Sequence, residues 1–120
     1  MKPKAYLKSL EILRDATQTN LDANQMRCLF YLFDAGKQGL SLGEIGEELG
    51  VSHVAAARIA RKFTAEGSES VKMQGWDLAE IYYEPSRPRA NLVRLLPKGN
   101  ELVEKFLNSL DKAAEGPTIP

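Results

Sequence analysis

The side chains best equipped for chemistry in this chain are cations in two groups. Arg58, Arg61 and Lys62 follow the single histidine, His53, and Arg87 and Arg89 flank Pro88 further on. A guanidinium is planar and always charged, and its donor fork matches phosphate oxygens or the O6/N7 edge of guanine. The sets needed for covalent or hydrolytic chemistry are missing. There is no Ser/His/Asp arrangement, no phosphate-cradling glycine loop and no carboxylate pair on an apolar background, so an enzyme is not expected. His53 has no Cys/His/Asp cluster around it, so neither a metal nor another cofactor is expected. Cys28, the only cysteine, lies in an apolar stretch and reads as a small buried hydrophobe. A redox sensor would need an accessible thiol of low pKa.

Charge distribution sharpens the picture. The formal net charge is zero over 120 residues, which by itself argues against a polyanionic partner. Residues 52–98, however, hold 8 Lys/Arg against 5 Asp/Glu, while residues 1–51 hold 6 against 7 and residues 99–120 hold 2 against 4. The positive excess sits with the two cation groups. A hydrophobic share of 43% with 27% charged residues suits a folded core and not a disordered chain. No apolar run approaches membrane-spanning length, and the start, MKPKAYLKSL, lacks a signal-peptide core. With one cysteine and no internal disulfide, a cytoplasmic protein with no membrane partner is expected.

The element that carries the first cation group is specified locally. Ser41 and Glu44 form a capping box, with Leu40 and Ile45 placed as a hydrophobic staple. Ile45 and Leu49 share one helical face, and Gly50 suits the left-handed residue that ends such a helix. Ser52 can cap a second helix that buries Ala56, Ile59, Ala60 and Phe63. Gly46 lies inside the first helix, where glycine costs about 1 kcal/mol against alanine. Close approach of a steeply crossing helix explains it, with Ala56 equally small on the partner. This is the helix-turn-helix pattern, about 41–66. A plain helical hairpin is the bland alternative.

The rest of the chain supplies the support. Residues 4–17 read as a helix with Tyr6, Leu10 and Leu13 in one stripe. Asp22 and Gln25 form a second capping box, opening a helix to about residue 35 that is apolar almost all round. Glu66 and Gly67 are expected to end the second helix of the motif. Residues 78–83 and 91–96 read as strands around a proline-punctuated basic turn, a hairpin over about 78–96. Residues 98–110 read as a last helix striped with Leu102, Val103, Phe106, Leu107 and Leu110. Residues 113–120 read as a flexible tail. The expected whole is one domain over residues 1–112, mainly α with a small β-hairpin.

From Leu49-Gly50-Val51-Ser52 onward, and again at Arg89 to Gly99 (RANLVRLLPKG), the chain resembles the MarR-type winged helix-turn-helix family. The likeness runs from about Leu21 to Leu107. It implies a winged helix with terminal dimerisation helices, about 4–17 and 98–110, and a homodimeric DNA-binding regulator, often a repressor. Release by a small molecule or by thiol oxidation is also known in the family, but no residue here supports it. The stretch Glu84 to Arg89 departs from the family's wing, with Arg87 where an acid is usual. About ten residues, 68–77, look inserted before the hairpin.

Site expectations follow from the motif. Its second helix leads into the major groove with its N-terminal residues. Ser52 and His53 can donate to phosphate or a base edge. Val54, Ala55 and Ala57 are small enough for close approach and can touch a thymine methyl. Arg58 is placed to read guanine, and Arg61 and Lys62 to touch phosphates. Arg87 and Arg89, stiffened by Pro85 and Pro88, suit the backbone or a narrow minor groove. Tyr6, Leu10, Leu13, Leu102, Val103, Phe106, Leu107 and Leu110 exceed what a small core covers and are expected at a dimer interface. Trp76, Tyr82 and Tyr83 read as core packing more than as base-stacking groups. The alternative to double-stranded DNA as the partner is a winged helix that has become a protein-interaction module.

Overall fold

Two capping boxes frame the structure, a computed structural model that describes residues 3–65, 75–83, 85 and 91–114. At α2 (Ala23–Ala35) the Gln25 amide donates to Asp22 Oδ1 at 2.7 Å, and the Asp22 amide donates to Gln25 Oε1 at 2.9 Å. At α3 (Leu42–Leu49) the Glu44 amide donates to Ser41 Oγ at 3.1 Å, and the Ser41 amide to Glu44 Oε1 at 3.0 Å. Each box satisfies two amides that a helix start leaves open, and such a cap stabilises by about 1 kcal/mol. The sequence reading of both helix starts holds.

α2 is the post around which the remaining elements pack. Cys28, Leu29 and Leu32 are wholly buried, and α2 touches α3, α4 (His53–Phe63), α5 (Pro97–Ala114) and the sheet. Phe30 of α2 meets Phe106 of α5, their ring centroids 5.2 Å apart. α1 (Pro3–Thr17) lies along α5. Ser9 is fully buried there, and its hydroxyl donates to Ser109 Oγ at 2.8 Å, which leaves no orphan polar atom in that contact. Pro97 occupies the first position of α5, where its missing N–H costs nothing. α5 continues to Ala114, past the expected start of the tail at residue 113, and the rest of that expected tail lies outside the described residues.

The expected hairpin is present, but it is part of a three-stranded antiparallel sheet. β2 (Ala79–Tyr83) pairs with β3 (Asn91–Leu95), and β1 (Leu40–Ser41) pairs with the other edge of β3. Leu40 and Ile81 both face Val93 across the ladder. Val93 and Leu95 join the main core, whereas Leu92, pointing to the opposite face, is buried outside it. β1 has two residues, too few for any alternation to show in the sequence.

α4 stops earlier than expected, at Phe63 and not near residue 66. Thr64 turns extended, with φ −86° and ψ 164°, and its hydroxyl donates to the Arg61 carbonyl at 2.7 Å. The returning chain takes up carbonyls at this helix end. The Trp76 amide donates to Lys62 O at 3.0 Å and the Leu78 amide to Phe63 O at 2.7 Å. Trp76 stands edge-on to Phe63 at 5.0 Å, so it packs against the core as read. Residues 68–74 of the inserted stretch lie outside the described residues.

Candidate nucleic-acid interface

The joint between α3 and α4 is tight. Gly50 is left-handed, at φ 71° and ψ 33°, and the next amide, of Val51, donates to Gly46 O at 2.9 Å. This turn is what Gly46 accommodates. A Cβ built there would lie 3.0 Å from the Val51 carbonyl oxygen and 3.7 Å from Ala56 Cβ. The helix crossing expected from sequence is therefore in ordinary contact, and the tighter constraint is the turn's own backbone. Arg27 of α2 locks the joint from behind. Its guanidinium donates to Glu48 O at 2.8 Å, with Leu49 O at 3.4 Å, placing a cation at the negative end of α3.

Ser52 caps α4, its Oγ accepting the Ala55 amide at 3.1 Å. Ala56, Ala60 and Phe63 are wholly buried and fix the helix's rotation, with Ile59 half-buried beside them. The opposite face carries the expected side chains. Ser52, His53, Val54, Arg58 and Arg61 are exposed. Ala55, Ala57 and Lys62 are half-buried. The face carries no Lys or Arg near its N-terminal end and is cationic further along, with no acid on α4.

The sheet holds a cluster that sequence reading missed. Arg94 Nε donates to Glu80 Oε1 at 2.6 Å, directly across the β2–β3 ladder, and its guanidinium lies 4.1 Å from the Tyr82 ring centroid. The hydrogen bond to Glu80 raises the Arg94 pKa further above its ordinary range. Tyr82 in turn donates its hydroxyl to the Gln38 carbonyl at 2.8 Å, tying β2 to the loop after α2. The cation of Arg94 is thus engaged within the sheet and is not a free contributor to the basic surface. Its only sequence signal was an opposite-charge pair whose register could not be read in advance. Arg87 and Arg89, the expected wing cations, lie outside the described residues.

The expected dimer stripe needs correction. Leu13, Leu102, Val103 and Phe106 are no more than 6% exposed within one chain, because α1, α2 and α5 cover one another. Leu10 and Leu110 are half-buried. On α1 and α5 the exposed large apolar residues among those described are Tyr6, Leu7 and Leu107. Between α1 and α5 runs a groove of about 760 Å³, lined in part by Lys8, Glu11, Asp15, Lys105 and Lys112.

Cys28 has no access to solvent, and burial pushes its thiol up to about 12. Among the described residues no group of His, Cys, Asp and Glu could hold a metal ion, and no helix is long and apolar enough to cross a membrane.

No family model and no curated protein matches the chain in sequence. Solved structures do match in shape. MepR of Staphylococcus aureus in complex with DNA superposes with a TM-score of 0.71 at 20% identity, over 93% of this chain and 77% of that one. A Q18P mutant of MepR gives 0.65 at 25% identity, over 96% and 70%. The transcriptional regulator Tm0710 from Thermotoga maritima gives 0.69 at 19% identity, over 93% and 68%. Among the described residues, five α-helices and a small antiparallel sheet, with α3 and α4 as the helix-turn-helix, give this chain the winged-helix fold of these solved structures.

Proposed function

We propose that this protein is a transcriptional regulator that binds specific double-stranded DNA as a homodimer, placing α4 in the major groove. The observation that carries this is the outward face of α4. It is held rigidly from behind by Ala56, Ala60 and Phe63, and it presents Arg58 and Arg61 to solvent with no acid on the helix. The likeness to MepR, solved in complex with DNA, supports DNA as the partner. Arg58 reads a base edge, Arg61 and Lys62 meet phosphates, and Ser52 and His53 contact the backbone or a base edge. Arg87 and Arg89 supply affinity from the wing, on the backbone or in the minor groove. Occupation of an operator by such a dimer represses by excluding other proteins from the same DNA.

The second copy docks on the α1–α5 face. Tyr6, Leu7 and Leu107 give it apolar contact, and Lys8, Lys105 and Lys112 beside Glu11 and Asp15 give a surface of both signs that can complement itself about a two-fold axis. Retention of genomic DNA fragments at two salt concentrations tests the function. Sequence-selective retention at the higher salt is expected. Unselective binding that disappears with salt would contradict it and favour the protein-interaction module. Sedimentation at micromolar concentration is expected to show a dimer, and a monomer there would remove the dimeric part.

A further inference from the structure

Val54 is 68% exposed, more than any other large hydrophobic side chain among the described residues. It takes no part in the core cluster. Its neighbours Ala55, Ala56 and Ala57 are the best helix formers, while a β-branched residue at an exposed helical site lowers helix stability. Nothing in the fold of α4 therefore calls for valine here. Its position does have a consequence. Val54, Ala57, Arg58 and Arg61 share one face at helical spacing, so an apolar spot immediately precedes the first cation.

Resting on the proposed DNA binding, we infer that Val54, with Ala57 beside it, is a specificity-determining residue that holds the 5-methyl group of a thymine. The cations that follow on the same face select a polyanionic partner. Within the major groove of such a partner, the thymine methyl is the apolar group presented by the base edges. Residues 54 and 58 are one helical turn apart, about 6 Å along the axis at 1.5 Å per residue. At about 3.4 Å per base pair, that sets the thymine about two steps from the guanine read by Arg58.

Thymine-to-uracil exchange deletes only this methyl group. Duplexes enriched from a random pool by the full-length protein would be remade with uracil at each thymine in turn. Uracil at one thymine per half-site is expected to weaken binding about fourfold for each methyl group lost, so about fifteenfold with both half-sites changed. Val54→Ala is expected to weaken the thymine duplex by a similar factor and to become indifferent to that uracil. Its thermal midpoint should not fall, because the side chain is exposed. Indifference of the wild-type protein to every uracil, or an undiminished uracil effect in Val54→Ala, would overturn the contact while leaving DNA binding intact. Failure to enrich any duplex would overturn the DNA-binding reading and the contact together.

Discussion

α4 and α5 are both amphipathic helices packed on the same core, and they leave unlike surfaces behind. α4 turns Arg58 and Arg61 outward with no acid among its residues. The α1–α5 pair carries Lys8, Glu11, Asp15, Lys105 and Lys112 along its groove, and elsewhere on the two helices it exposes Tyr6, Leu7 and Leu107. A one-signed rigid face suits a polyanion, whereas a mixed face with apolar points suits another protein surface. The two helices also differ in how much apolar stripe they release. α4 buries Ala56, Ala60 and Phe63, while α5 buries Leu102, Val103 and Phe106 and leaves Leu107 at its edge. An apolar stripe on a terminal helix is thus not a dimer interface until the chain's own core has been subtracted from it.

The largest effect that tests this contrast is at Phe106. Stacked at 5.2 Å on Phe30 and 3% exposed, it belongs to the fold and not to a detachable interface. Phe106→Glu should lower stability in urea by at least about 3 kcal/mol, from lost packing and a buried charge. Leu107→Glu, one residue on, should leave a folded chain that sediments as a monomer. A folded, monomeric Phe106→Glu would reverse the assignment.

Gly46→Ala comes next. Its new methyl group meets the Val51 carbonyl at 3.0 Å, and the expected loss is about 1–3 kcal/mol despite the gain in helix propensity. A stabilised variant would show that the turn can yield. On the wing, Arg87→Ala and Arg89→Ala should each lower the salt slope of DNA binding by about 1, on selected and random duplexes alike. Selective loss on one duplex would make the wing a reader of bases.

The smallest effect expected at neutral pH is at Cys28. Burial raises its thiol from the ordinary 9.0 to about 12, so the folded state favours the protonated form. That contribution to stability is full below pH 9.0 and is lost as pH rises toward about 12. Cys28→Ala should lack this part of the alkaline decline, as read from urea midpoints against pH. At neutral pH the native thiol should resist alkylation, and rapid alkylation of folded protein would show that it is accessible.

Features set by neighbours in sequence were legible in the sequence. Ser41 with Glu44, Asp22 with Gln25, Ser52 with Ala55 and left-handed Gly50 all act within a turn of helix. The outward face of α4 followed from its buried face, since helical spacing ties the two together. Features that depend on distant partners were not legible. β1 exists because Leu40 meets Val93, α4 ends at Phe63 where the Leu78 amide returns to it, and Arg27 reaches the carbonyl of Glu48. The α5 stripe announced that a partner exists, but the identity of that partner, here α1 and α2, is a property of the whole fold.

The measurement that bears most directly on the central claim is binding of Arg58→Ala to a selected duplex and to random duplex DNA. Arg58 is exposed, on the face of α4 that the core turns outward, so the variant should keep its thermal stability. Binding to the selected duplex should weaken by about 1–3 kcal/mol, and binding to random DNA by far less. Equal weakening on both would contradict base reading by α4, and no change on either would remove the helix from DNA recognition altogether.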